Sequence, residues 1–457
     1  MSNRSRLWLD LGKAGSLIPN LRCQQDHAVG LLRTILHNAG VVTGLASTRN
    51  VLSKSQLCAR FKETDILIMS VLSFNFPTAV QCARLFKEIN PKGIVVTGGL
   101  HASVALDEMI SVKEFDYICK GPGEKIITAL VSEPEQFERV IEGKGAKSMA
   151  DWPYIDRTLW PKPALKIPGL PNTWPLERFS IESPPSATIL TSRVCPWQCA
   201  FCNESSYIPN MTRRPVEMVI EELNMVDRRF GPFNSVIIHD SNFFQNPVWL
   251  KEWIEKYPKS ANRRWPYWAA ARTDMIRKWP DLFTALLKQT NWRTISLGLE
   301  SGSDRVLRIL NKECSEEDNN FAIDLINRMG EEMSAKGQAP PTIFANIILA
   351  IPGESEADAG KTVDMVNRIH HAKPSISYFA PYPGSILGYQ MIAEGKSLMT
   401  LKDYHRYPGR ETVRGIDYRF YAELLSSIRG YRGARRGIKF VREMYDAFFL
   451  KALGEIG

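Results

Sequence analysis

The sequence has no apolar run long enough to cross a bilayer: stretches such as Ile66–Leu72 fall far short of the ~18–20 residues a spanning helix needs. Its start, Met-Ser-Asn-Arg-Ser-Arg, contains no apolar segment of the signal-peptide kind. Membrane insertion and secretion are therefore not expected, and a cytoplasmic location is. Cysteine is no more than ordinary, eight in 457 residues, and without a secretion signal nothing suggests disulfides. What is present, 44% hydrophobic and 23% charged residues, is the balance of a globular protein. At roughly 150 residues per domain the length predicts two or three domains, not one core. The formal charge is +9, and the stretch from Lys396 to the end, with thirteen Lys/Arg against seven Asp/Glu, supplies most of it. There Arg429, Arg432, Arg435, Arg436, Lys439 and Arg442 recur at helical spacing with no acid among them. The plain reading is a solvated helix face; a phosphate, acidic peptide or RNA site is the alternative.

The first third alternates apolar strands with helices. Strands are predicted over Arg6–Leu11, Asp65–Val71, Ile94–Thr97 and Asp116–Cys119, with helices over Gly30–Asn38 and Pro77–Ile89. Glycine-bearing turns, Gly98-Gly99 and Gly121-Pro122-Gly123-Glu124, end two of the strands. This pattern predicts a doubly wound, Rossmann-like parallel sheet over residues 1–147, with a ligand at the carboxyl ends of its strands. Residues 148–185 are rich in Pro and Trp and cannot form a regular helix, so they predict a stiff linker. From 186 to 390 the alternation resumes, with strands over Ala187–Ser192, Ser235–His239, Trp268–Arg272, Thr294–Leu299, Thr342–Ala350 and Ser375–Ala380. Six such units predict a partial β/α, TIM-like barrel with its active site at the carboxyl ends of the strands. Residues 391–457 are expected to form a C-terminal helical cap over its mouth.

Five cysteines, Cys23, Cys58, Cys82, Cys119 and Cys314, stand singly and predict buried structural thiols. The other three are crowded into Arg193-Val-Cys195-Pro-Trp-Gln-Cys199-Ala-Phe-Cys202, directly after the first barrel strand. Three thiolates on one loop can hold three irons of a 4Fe-4S cube and leave the fourth iron open to a small molecule. A structural zinc would want a fourth ligand nearby, and none of the seven histidines lies within thirty residues of Cys202.

This Cys-x3-Cys-x2-Cys spacing with Phe201 before the last cysteine resembles the radical S-adenosylmethionine (SAM) superfamily, and the resemblance extends over about residues 186–390. It implies a 4Fe-4S cluster on Cys195, Cys199 and Cys202 that cleaves SAM to methionine and a 5′-deoxyadenosyl radical. It further implies that Phe201, Asp240, Arg272, Glu300, Ser301 and Pro352 face SAM, since Gly298-Leu-Glu300-Ser-Gly302 and Ile351-Pro-Gly-Glu354 are similar to the family's cofactor segments.

The leading domain is similar to cobalamin-binding domains, by Ser70-Val-Leu72 and the Gly98-Gly99 pair, with Pro122 where that family carries Glu. The resemblance implies a slot for the cobalamin tail built by Ser70, Leu72, Ser73, Phe74, Thr97, Gly98, Gly99, Gly121, Gly123 and Glu124, with His101 packed against the corrin. Glycines would leave the room and the serine hydroxyl would donate a hydrogen bond. His27 and Gly30 match part of the family's cobalt-ligating motif, but the aspartate is displaced by one, and cobalamin without a protein ligand below is expected. Both cofactors together imply methyl transfer from methylcobalamin to an unactivated carbon or phosphorus centre, with no catalytic residue beyond the cluster and cofactors. The alternatives are a cobalamin-dependent radical cyclase, oxidase or rearranging enzyme, a methylthiotransferase, and a non-enzymatic sensor. The expected partners are a small-molecule or peptide substrate and an electron donor such as flavodoxin or ferredoxin; nucleic acid is not expected. Substrate choice is assigned to the region after Tyr382-Pro-Gly-Ser385; within it Asp403–Pro408 reads first as an aromatic loop packing on the barrel, with contact to a polar substrate as the alternative.

Overall fold

The computed structural model describes residues 4–11, 27–47, 54–159, 186–193, 195–204, 212–230, 232–400, 406 and 408–431. The basic segment beyond Tyr431, Trp160 to Pro185, and most of Asp403–Pro408 lie outside the described residues.

Two parallel six-stranded sheets organise the chain. The first contains β1 (Arg6–Asp10), β2 (Gly44–Ser47), β3 (Ile66–Ser70), β4 (Ile94–Gly98), β5 (Tyr117–Lys120) and β6 (Val140–Glu142) in the order β2-β1-β3-β4-β5-β6. Its connecting helices are α1 (His27–Asn38), α2 (Lys54–Lys62), α3 (Phe76–Ile89), α4 (Leu100–Val104), α5 (Leu106–Ser111) and α6 (Ile127–Ser132). Strand β3 is apolar along its length because helices cover both faces: Leu67 and Met69 enter one core, Ile66 and Ile68 the other. The strand order reverses between β1 and β3, which is where open sheets of this kind present a ligand crevice.

The second sheet begins with β7 (Ser186–Ile189). A short antiparallel pair follows, β8 (Ser192–Arg193) with β9 (Thr212–Arg213), and then β10 (Ser235–Ile238), β11 (Tyr267–Arg272), β12 (Trp292–Glu300), β13 (Thr342–Leu349) and β14 (Ala372–Tyr378). The order β14-β13-β12-β11-β10-β7, with every neighbour parallel, is that of a partial barrel. Outside it lie α7 (Val216–Phe230), α8 (Pro247–Ser260), α9 (Thr273–Lys278), α10 (Pro280–Gln289), α11 (Asp304–Ile309), α12 (Glu316–Ala335) and α13 (Glu356–Asn367). Helix α7 turns Val216, Val219, Ile220, Leu223 and Val226 inward at three- and four-residue spacing. Helices α12 and α13 start at Ser315 and Ser355, whose hydroxyls accept from the amides of Asp318 and Asp358 in reciprocal capping boxes. Two further helices, α14 (Ile386–Ala393) and α15 (Tyr418–Leu424), follow the barrel.

The two sheets are joined by buried polar contacts. Arg157 donates to the Thr188 carbonyl and to Glu222, which also accepts from Arg214, while the neighbouring Asp156 amide donates to Thr34 on α1 at 2.8 Å. Residues 148–159 thus lie against both sheets. They contain two short 3-10 turns and no α-helix.

Candidate functional site

The cysteine loop leaves β7 and is held at both ends. At its start, the Asp240 carboxylate at the end of β10 accepts from the amides of Thr191 (2.7 Å) and Ser192 (3.0 Å) and from both hydroxyls. Asp240 is expected to face a cofactor; instead its carboxylate is taken up by the strand end, so it acts on the loop. At the other end, Ala200 N donates to the Leu310 carbonyl (2.7 Å), Asn311 Nδ2 to Gln198 O (2.8 Å) and Leu387 N to Ala200 O (2.9 Å). Helix α14 also buries Leu387 and Met391 against Ala200 and Phe201.

Between these anchors stand Cys195 and Cys202, half-buried, and Cys199, buried, none of them in a disulfide. Burial pushes the Cys195 thiol up and that of Cys202 up to about 12, and the neighbouring thiols add to both shifts. Among the described residues no three His, Cys, Asp or Glu side chains close on a single metal ion. A cube suits such wider spacing, since each thiolate takes its own corner, and the three unpaired thiols on one pinned loop fit it.

Buried charge gathers beside Cys199. Arg272, at the end of β11, donates from Nη1 to Cys199 Sγ at 3.6 Å and from Nε to Asp274 at 3.0 Å, and its guanidinium carbon lies 4.4 Å from the Trp197 ring centre. Lys312 Nζ is buried 3.0 Å from Glu300 Oε1. A Cβ at Gly298 would stand 3.0 Å from Lys312 Nζ and 3.1 Å from the Glu300 carboxylate, so the ion pair fills the space that glycine leaves. Glu300 and Ala350, closing β12 and β13, have φ of 62° and 57°, and Asn311 and Glu313, flanking Lys312, have 46° and 54°. Such left-handed non-glycine residues store strain, and four of them at one barrel mouth mark a site held by its surroundings. Ser301 is fully buried, its hydroxyl 3.1 Å from that of Thr362, so it braces α13. Pro352 is half-buried at the turn after Ala350.

A cavity open to solvent, of about 980 Å³ with that solvent counted, lies between the carboxyl ends of the first sheet and the start of the cysteine loop. Ser70, Thr97, Gly98 and Gly99 line it on one side, Gly121, Gly123 and Glu124 on another, above an apolar floor that includes Trp8, Ile68 and Val96. A second one, of about 600 Å³ with open solvent counted, adjoins it over β1, with Leu72 and Asp10 in its wall. Ser73, Phe74 and His101 line neither. His101 is fully buried, Nδ1 3.0 Å from Ser73 Oγ and Nε2 3.2 Å from Glu108, with Phe76 against its ring. The expectation that it packs on a ligand is corrected: at the second position of α4 the phase of the helix turns it toward α3 and α5. The Gly-Gly reading also changes. A Cβ on Gly99, φ 98°, would stand 2.6 Å from the Val71 carbonyl, so that glycine admits the neighbouring backbone before it admits any ligand. His27 opens α1 and lines the first cavity, its ring 5.7 Å from that of His239.

One contact ties the cavity to the cysteine loop. Arg193, two residues before Cys195, lines both cavities, donates to Glu124 and has its guanidinium 5.2 Å from the Trp152 ring centre. Arg193 and Lys312 are absent from the sequence-derived set. Adjacency to Cys195 could have flagged Arg193; Lys312 has no such signal, since only the fold brings it to Glu300.

Residues 189–366 match the model of the Radical SAM superfamily, and this part of the chain is a radical SAM domain. Over 429 residues the chain is 22% identical to an uncharacterized methyltransferase of Pyrococcus horikoshii, covering 91% of this chain and 85% of that one. It is 21% identical over 384 residues to the anaerobic magnesium-protoporphyrin IX monomethyl ester cyclase of Rubrivivax gelatinosus, covering 78% of this chain and 64% of the cyclase. The fold is similar to that of a radical SAM methyltransferase, TsrM from Kitasatospora setae, solved with cobalamin and a 4Fe-4S cluster bound. The TM-score is 0.62 at 16% identity, over 87% of this chain and 79% of that one. No helix among the described residues is long and apolar enough to cross a membrane.

Proposed function

We propose that the chain is a cobalamin-dependent radical SAM methyltransferase acting on an unactivated carbon or phosphorus centre. The observation that carries this reading is the cavity that opens between the strand ends of the first sheet and the cysteine loop of the second, with Arg193 joining the two. Cys195, Cys199 and Cys202 would hold the cluster; Glu300, Pro352 and Phe201 would border SAM; Ser70, Thr97, Gly98, Gly99, Gly121, Gly123 and Glu124 would border cobalamin. When bound, the cofactors supply the radical and the methyl group. The chain's own contribution is placement. Asp240, Asn311 and Leu310 fix the cysteine loop, Lys312 holds Glu300 at the barrel mouth, and the apolar floor of the slot excludes water from a buried ring. Helix α14, seated on Ala200 and Phe201, closes one side of the mouth.

The similarity to a cyclase favours one second reading, a cobalamin-dependent radical reaction that transfers no methyl group. Product analysis under strong reductant separates the two: a methyltransferase forms S-adenosylhomocysteine together with 5′-deoxyadenosine, a cyclase 5′-deoxyadenosine alone. Absence of S-adenosylhomocysteine with cobalamin bound would overturn methyl transfer.

A further inference from the structure

We propose that Arg272 is a positioning residue that raises the reduction potential of the cluster through its hydrogen bond to Cys199, with Lys312 as a second buried cation beside it; this rests on the cluster assignment above. A cofactor-facing arginine would keep its fork open to a ligand. Here the fork is occupied by the chain. Nε meets Asp274 at 3.0 Å, Nη2 donates to the Lys312 carbonyl and lies 3.3 Å from Cys314 Sγ, and Nη1 reaches Cys199 Sγ at 3.6 Å. Trp197 covers its face, and the side chain is 6% exposed. The geometry is therefore fixed before any ligand arrives.

An electron added to a thiolate-bound cluster spreads negative charge onto its sulfurs. An N–H donor at one of them, in a site closed to water, stabilises that charge, and hydrogen bonds to sulfur are among the main levers on such potentials. Lys312 acts in the same direction at longer range, its charge partly offset by Glu300, as that of Arg272 is by Asp274. The electron comes from an external low-potential one-electron donor, dithionite in the cuvette, and no bond in the chain is made or broken.

The test is an anaerobic redox titration followed by electron paramagnetic resonance, on wild type, Arg272→Lys, Arg272→Gln and Asp274→Asn, each first assayed for iron and sulfide. Arg272→Gln is expected to keep four irons and to lower the reduced-to-oxidised ratio about tenfold at the wild-type midpoint, which is ~59 mV for one electron. Arg272→Lys should lower it less. Asp274→Asn, which removes a negative charge and leaves the arginine, should move the ratio the other way, and this variant decides the matter if Arg272→Gln fails to fold. Loaded variants with an unmoved midpoint, or a downward shift in Asp274→Asn, would overturn the proposal while the cluster stands. A wild type that takes up no iron would instead sink the cluster assignment, and this proposal with it.

Discussion

The two sheets share an architecture and differ at their strand ends. In the first, the ends are mostly glycines and small polar residues around an apolar slot, with the Glu124–Arg193 ion pair in its wall, and the close approach of Gly99 to the Val71 backbone brings no charge with it. In the second, the ends carry strained non-glycine residues, Glu300 and Ala350, and a buried network of Arg272, Lys312, Glu300 and Asp274. A parallel sheet offers a ligand site at its carboxyl ends in either case. Apolar shape suits holding a large cofactor by burial, whereas buried charge suits the control of electrons. The two ends should accordingly fail independently when disturbed.

The largest expected effect is that of Cys199→Ala, which should abolish iron uptake and all 5′-deoxyadenosine formation while leaving cobalamin retention near wild type. Loss of both cofactors would show that the sheets do not act separately. Next is Lys312→Met. Removing one partner of a buried ion pair typically destabilises by ~3–5 kcal/mol, so chemical denaturation should register a large loss, relieved in part by pairing it with Glu300→Gln. An effect under about 1 kcal/mol, the range of exposed pairs, would mean that the Lys312–Glu300 pair is not closed off from water.

Smaller is Gly99→Ala. A side chain forced to positive φ costs about 1–3 kcal/mol, and here the Cβ would press on Val71. Cobalamin retention measured by absorbance after desalting should fall at least tenfold, with iron content unchanged. The smallest effect concerns the contact between α15 and the barrel. Burial pushes the Glu354 carboxyl up from 4.5 to about 7, against a hydrogen bond from Tyr421 that pulls it down. The folded chain keeps this proton longer than the unfolded one, so the contribution is present below pH 4.5 and is lost as pH rises toward 7. The thermal midpoint should be higher at pH 6 than at pH 8, and Glu354→Gln should flatten that dependence.

Much of this was legible in the sequence, because alternation of apolar strands with helices is a strong local signal and the cysteine spacing is dense. Strand β3 and the six strands of the second sheet fall within one to three residues of their expected bounds. Strands β2 and β6 were not expected, being four and three residues long and lacking a clear apolar pattern. Around the site, what sequence could not give was direction. Asp240, Ser301 and His101 occupy the expected turns but spend their polar atoms on the chain's own backbone and side chains. Arg193 and Lys312 matter through partners 69 and 12 residues away, a relation no local pattern carries.

If one chain places a cluster and a cobalamin at facing strand ends, both should be retained together. Anaerobic purification with iron–sulfur reconstitution and added hydroxocobalamin, followed by iron, sulfide and cobalamin determination, tests this most directly. One 4Fe-4S cluster and one cobalamin per chain are expected. A full cluster with no cobalamin retained would contradict this and leave the first sheet with another ligand.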